Sequence, residues 1–252
     1  MQVRSVAVAA LLAALAAAGC QHAPSRKERE AAEIHYNLSL EALRARRFTE
    51  ALREVEQALA VDPAFADAYL ARGLVLEFGY GKDEDAERDY RKAVALRADF
   101  SEAHNDLGHL LARRGRYAEA LAEFDAALEN MYYREPFVAR CNRGQALHAL
   151  GKKEEGRQEM RKCLALAPRY CAGYRELGRI ELQDGRVKDA LDLLARYADL
   201  CATAPDAWLQ LGLARMRSGD AESAREAFRK CAELAGDDPA AGECERAAER
   251  LQ

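Results

Sequence analysis

The sequence predicts an all-α protein: a right-handed superhelical solenoid of six helix-pair repeats closed by a C-terminal capping helix. Three observations predict it. Ala, Leu, Glu and Arg dominate a 252-residue chain with only six prolines, and these are strong helix formers, while β-branched residues are few. One pattern of small and large apolar residues recurs at a period of about 34 residues. Residues 239–252 carry a single apolar stripe against a charged remainder, the pattern of an amphipathic end helix.

The N-terminus is set apart from this pattern. Met1 to Ser5 bears one charge, at Arg4, and Val6 to Ala18 follows as an uninterrupted apolar run. The run is too short for a membrane-spanning helix, which needs about 20 residues, and has the length of an export signal. Residues 1–19 are therefore expected to be a signal peptide. The run closes on Leu15-Ala16-Ala17-Ala18-Gly19-Cys20, which resembles a bacterial lipobox, although Ala17 stands where leucine is usual. Cys20 is thus the expected lipidation site and new N-terminus, with residues 20–31 as lipidated end and tether. Gln21 after the cysteine, where Asp would signal inner-membrane retention, implies an outer-membrane lipoprotein facing the periplasm.

Without residues 1–19 the chain keeps 37 basic against 42 acidic residues, a net charge of −5. A nucleic-acid binder needs a basic surface to displace counterions, and no stretch supplies one. Nucleic acid is therefore not an expected partner.

The repeats follow in phase. Residues 32–65 place Leu38, Ser39, Ala51, Val55, Ala58 and Pro63; residues 66–100 place Tyr69, Gly73, Ala86, Tyr90 and Ala93, with one extra residue near Gly79-Tyr80-Gly81. Residues 101–134 place Leu107, Gly108, Ala120, Phe124 and Ala127, and the insertion Glu135-Pro136 follows. Residues 137–170 place Gly144, Met160, Cys163 and Pro168; residues 171–204 place Leu177, Gly178, Ala190 and Leu194; residues 205–238 place Leu211, Gly212, Ala224, Phe228 and Cys231. Small residues at positions 8, 20 and 27 of each unit let two helices approach closely, and large residues at 4 and 24 fill the gaps between pairs. This is the pattern of the tetratricopeptide repeat. One such unit cannot bury its apolar face alone, so the units stack into an elongated array and the last needs a cap with a polar outer side. Residues 239–252 are that cap, with Ala241, Cys244, Ala248 and Leu251 on one stripe.

Seven cysteines are present. Cys20 aside, Cys141, Cys163, Cys171, Cys201, Cys231 and Cys244 form an even set in an oxidising compartment, which predicts disulfides without choosing the pairing. Cys231–Cys244 is the pair expected to join the last repeat to its cap. Cys163 and Cys231 also occupy position 27, where a free thiol packs well as a small buried residue. Neither Cys-x-x-Cys nor paired histidines occur, so no metal site is expected. No nucleophile elbow, P-loop, His-Glu-x-x-His or dinucleotide glycine fingerprint is present, so no catalytic residue, cofactor or small-molecule substrate is expected and the protein is not read as an enzyme. His104, His109 and His148 are read as surface or groove side chains, and the many Asp/Glu and Lys/Arg pairs as solvated helix faces.

Function then falls to the groove. Positions 5, 9, 12 and 13 of each first helix are expected to line the concave side. Repeats one and two present Tyr36, Leu40, Leu43, Leu70, Leu74 and Phe78 there, whereas repeat three presents Asn105, His109 and Arg113 and repeat five Arg175, Arg179 and Gln183. A contiguous apolar strip facing solvent marks a protein-binding surface. It suits an amphipathic partner helix or the exposed segment of an unassembled subunit.

Export signal, lipobox, tether, six repeats and small cap together resemble the type IV pilus secretin pilotins of the PilF/PilW family. The resemblance implies a non-catalytic outer-membrane lipoprotein whose partner is the pilus secretin, and which promotes the secretin's localisation and multimerisation and so pilus-dependent social motility. A lipoprotein subunit of an outer-membrane β-barrel assembly machine, and a scaffold or activator of cell-wall enzymes, are alternatives on the same architecture.

Overall fold

The computed structural model describes residues 24–236 and 239–250, and every element among them is helical. The described residues divide into two compact units, one up to Leu96 and one from Arg97 onward.

Unit one holds α1 (Arg26–Arg44), α2 (Phe48–Val61), α3 (Ala66–Leu74) running into a π-helical turn (Val75–Gly79), and α4 (Asp83–Leu96). Helix α1 begins six residues ahead of the first repeat, because Ser25 and Glu28 form a reciprocal capping box: Glu28 N–H donates to Ser25 Oγ at 3.3 Å and Ser25 N–H donates to Glu28 Oε2 at 2.6 Å. Two backbone donors that a helix start leaves orphaned are satisfied there. The tether expected over residues 20–31 is therefore helical from Arg26 onward. Antiparallel α1 and α2 close on Ala42 and Ala51, and Val55, Ala58 and Leu59 of α2 meet Ala68 and Ala71 of α3.

Unit two holds α5 (Ser101–Arg113), α6 (Tyr117–Glu129), α7 (Pro136–Ala149), α8 (Lys153–Leu166), α9 (Cys171–Gln183), α10 (Val187–Leu200), α11 (Pro205–Ser218), α12 (Ala221–Ala235) and α13 (Pro239–Glu249). Within unit two each repeat is one antiparallel helix pair, and each pair packs on the next. The spacing rule is visible atom by atom: a Cβ added at Gly108 would lie 2.6 Å from Phe124, and one at Gly178 would lie 2.6 Å from Leu194. Position 8 must be glycine there because the position-24 side chain lies across its backbone. The first helix of four repeats ends on a left-handed glycine, with φ of 76°, 83°, 76° and 86° at Gly115, Gly151, Gly185 and Gly219. In repeat one Arg46 occupies that site at φ 56°.

Helix α13 covers the end of unit two: Cys244 and Ala247 are buried against Ala224, Phe228 and Cys231 of α12, with Ala248 at the margin. Of the stripe expected for the cap, Leu251 lies outside the described residues, as do Cys20 and residues 1–19, while Ala241 falls in the helix. Among the described residues no helix is long and apolar enough to cross a membrane.

Candidate partner-binding groove

Helices α1 and α3 lie side by side in unit one, and the six residues expected to line the groove all fall there. Tyr36, Leu40 and Leu43 project from α1, Leu70 and Leu74 from α3, and Phe78 from the π-turn. They are not equally available. Tyr36 meets Phe65 in a tilted ring contact with centroids 5.1 Å apart and, with Leu40, packs on the core of Val55, Ala58, Leu59, Ala68 and Ala71. Leu43 packs against Ala42, Ala51 and Val75. These three hold the two repeats together, and only part of each side chain reaches water.

Phe78 is different: it is 57% exposed. The extra residue of repeat two is absorbed in the π-turn, where the widened coil carries Phe78 outward and the next-door carboxylate of Glu77 inward, to 5% exposure. The Tyr90 hydroxyl donates to Glu77 Oε2 at 2.7 Å, which satisfies one of the two carboxylate oxygens in low-dielectric surroundings where such a bond counts most. Gly79 closes the turn, because a Cβ there would come within 2.7 Å of Phe48. Tyr80, 41% exposed, follows, its hydroxyl 3.4 Å from Thr49 Oγ1, and Arg46 and Arg47 line the same hollow. Exposed Tyr80 in a hollow with two guanidinium groups, two residues from exposed Phe78, has the composition of an interface hot spot. The one-residue excess in the repeat was the sequence signal for this corner, since π-turns concentrate at functional sites.

In unit two the groove is polar. Asn142 donates to Asn105 Oδ1 at 3.0 Å, Glu176 accepts from Arg175 at 2.8 Å and from Arg179 at 2.9 Å, and His109, Gln145 and Gln183 line a cleft of about 280 Å³ with Arg179. Not every charge there is solvated, contrary to the expectation of polar helix faces. Glu181 is fully buried, 3.2 Å from Arg157 and 2.9 Å from Arg186, and Asp184 lies 2.8 Å from His148, 2.5 Å from Lys153 and 3.3 Å from Arg157. Position 11 of repeat five is Glu181 where repeat four has the buried Leu147, so the charge faces a neighbouring helix and must be paired. The Lys153 and His148 hydrogen bonds hold the Asp184 carboxyl down to about 2. His104 is likewise structural: its ring meets Glu123 at 2.7 Å, which raises its pKa despite burial. His104 is thus an inter-helix pairing residue and not a surface or groove side chain, whereas His148 lines the cleft as expected while its ring nitrogen also meets Asp184.

All six described cysteines are bonded. Cys141–Cys163 joins α7 to α8, Cys171–Cys201 the start of α9 to the residue after α10, and Cys231–Cys244 α12 to α13, with Cα separations of 5.4, 6.4 and 5.9 Å. Each bridge staples one antiparallel pair. A second exposed apolar feature, which sequence reasoning missed, stands in the turn after α6: Met131 and Tyr132 are each 84% exposed. The turn is held by Asn130, whose Oδ1 accepts from Tyr132 N–H at 2.9 Å and whose amide donates to Asp99 O at 3.0 Å. The Glu135-Pro136 insertion was its signal. Among the described residues no group of three or more metal-ligating side chains forms.

Comparison with known proteins places this geometry. Family models described as tetratricopeptide repeat match residues 36–77, 81–131, 138–170 and 205–249. The chain is a tetratricopeptide repeat protein. Its fold is similar to the crystal structure of PilW, a widely conserved type IV pilus biogenesis factor, at a TM-score of 0.77 and 24% identity, over 84% of this chain and 97% of that one. It is also similar to PilF of Pseudomonas aeruginosa, at a TM-score of 0.72 and 20% identity over 88% and 99%. Among curated sequences, the tetratricopeptide region is 34% identical to DnaJ homolog subfamily C member 3 of Rattus norvegicus over 98 residues, and 27% identical to U-box domain-containing protein 70 of Oryza sativa over 144. These alignments take in 39% and 57% of this chain, and it spans less than a fifth of either relative, 19% and 16% of their lengths.

Proposed function

We propose that this protein is an exported lipoprotein, anchored to the outer membrane through Cys20 and facing the periplasm, that binds the type IV pilus secretin subunit and promotes its localisation and multimerisation. The observation that carries the proposal is the likeness in fold to PilW and PilF over nearly the whole of both chains. Two features support it further. Three disulfides within one unit are chemistry of an oxidising compartment, to which a lipobox-terminated signal would deliver the chain. An apolar groove edged by Phe78 and Tyr80 suits the amphipathic segment of an unassembled membrane subunit, which it would shield until assembly. The protein acts by binding, with no catalytic step.

The test is deletion followed by complementation. Loss of the protein should remove secretin multimers and pili while other outer-membrane barrels and cell shape stay normal; Phe78→Glu and Leu74→Arg should fail to restore multimers or to capture the secretin, and Arg179→Ala should restore both. General loss of barrels would assign the protein to barrel assembly, and altered shape with normal pili to the cell wall. Cys20→Ala should leave an unprocessed chain absent from the outer membrane, and normal processing would refute the lipobox.

A further inference from the structure

Positions 3 and 7 of a repeat pack on the repeat before it. Leu177 is fully buried against Met160 and Leu164 of α8, and Ala207 and Leu211 are buried against Leu194 and Ala198 of α10. On α1, the first described helix, the same positions hold Ile34 and Leu38, and both are open: Ile34 is 61% exposed and Leu38 45%. Ala31 and Lys27 continue the row at helical spacing toward the N-terminus, and Glu41 ends it. Three of the first four residues of α1 are basic, Arg26, Lys27 and Arg29, and the Arg26 side chain is 89% exposed even while paired with Glu30.

What lies next to this row follows from chain length. The capping box fixes the helix start at Ser25, five residues after Cys20. Even fully extended, that segment holds Ser25 within roughly 18 Å of an acylated Cys20. Helix α1, about 28 Å long, is thus tied by its basic end to the lipid surface. We infer that the outer face of α1 lies on the bilayer, with Ile34 and Leu38 entering the interface and Arg26 and Lys27 meeting lipid phosphates; this rests on the lipidation of Cys20 proposed above. Two apolar side chains and a few cations bind a membrane weakly in solution, but a chain already anchored at Cys20 meets the surface at high effective concentration. Contact along α1 sets how unit one stands on the membrane, since α1 is built into its core through Ala32, Ser39 and Ala42.

The experiment attaches the lipid chemically, so that it does not depend on processing in the cell. The chain from Cys20 onward is coupled through the Cys20 thiol, the other six cysteines being bridged, to a maleimide lipid in vesicles of phosphatidylethanolamine and phosphatidylglycerol. Leu38→Trp adds an indole to the row, Ile34→Trp serves should that variant misfold, and the wild-type chain with Trp208 alone is the reference. Brominated acyl chains should quench the added indole by roughly half, and a carboxylate at the other position of the row, Ile34→Asp beside Leu38→Trp or Leu38→Asp beside Ile34→Trp, should abolish most of that quenching. Quenching no greater than in the reference overturns the inference, whatever becomes of Cys20→Ala in cells. So does an untethered chain that sediments as a dimer broken by Ile34→Asp, which would give the face to a second copy.

Discussion

The Tyr90 hydroxyl reaches the buried carboxylate of Glu77 at 2.7 Å, tying α4 to the π-turn that carries Phe78. Tyr90 itself is fully buried, lying against Gly73. The bond matters because it holds the widened turn, and with it the exposed aromatic corner.

Tyr90→Phe keeps the ring and removes the donor. It should cost about 1–3 kcal/mol in urea unfolding, the range for leaving a buried partner unsatisfied, and it should weaken secretin capture although residue 90 is buried. Unchanged stability would mean that water replaces the hydroxyl.

Leu40→Glu and Phe78→Glu separate packing from recognition. Leu40 packs on the core of unit one and Phe78 is mostly in water. A carboxylate at position 40 should lower stability by about 2 kcal/mol or more, whereas at position 78 it should leave the unfolding midpoint within about 0.5 kcal/mol and affect only binding. Circular dichroism melts of both variants decide the matter.

The three bridges close loops of 13, 22 and 30 residues, each contributing about 3 kcal/mol in the chain-entropy account. Reduction should therefore destabilise unit two selectively, read by amide exchange in α7 to α13 against α1 to α4. Six free thiols in unreduced, denatured protein lacking Cys20 would end the idea.

Asp184 is held down to about 2 by Lys153 and His148. A depressed carboxyl contributes stability that is present above its ordinary 3.8 and is lost as pH falls toward 2. His104, raised by Glu123, has the opposite sign: its contribution is full below its ordinary 6.5 and fades as pH rises through the raised value. Asp184→Asn should flatten the acid limb of the stability profile, and His104→Gln the limb above neutrality. An unaltered profile in either variant would exclude that pair as its source.

Arg46 sits at φ 56° where four other repeats have glycine. Arg46→Gly should stabilise unit one by up to about 1 kcal/mol, the left-handed strain relieved exceeding the added entropy of the unfolded glycine. A loss of stability would show that the arginine side chain contributes more than its backbone costs.

How much was legible in the sequence depends on the range of the interaction. The helix pairs were, because Gly108 under Phe124 and Gly178 under Leu194 are contacts within one repeat, fixed by spacing along the chain. The helices that carry Tyr36, Leu40, Leu43, Leu70 and Leu74 were legible for the same reason. Their availability was not: whether Tyr36 and Leu40 face water depends on Ala68 and Ala71, supplied by the next repeat, and the outward turn of Phe78 depends on where the extra residue was absorbed. The open row of Ile34 and Leu38 and the buried pair Arg157–Glu181 are of the same kind. Periodicity within a helix determines which face a residue occupies, and the sequence alone settles that; only tertiary packing decides what stands opposite the face, because burial and ion pairing are properties of two surfaces and not of one.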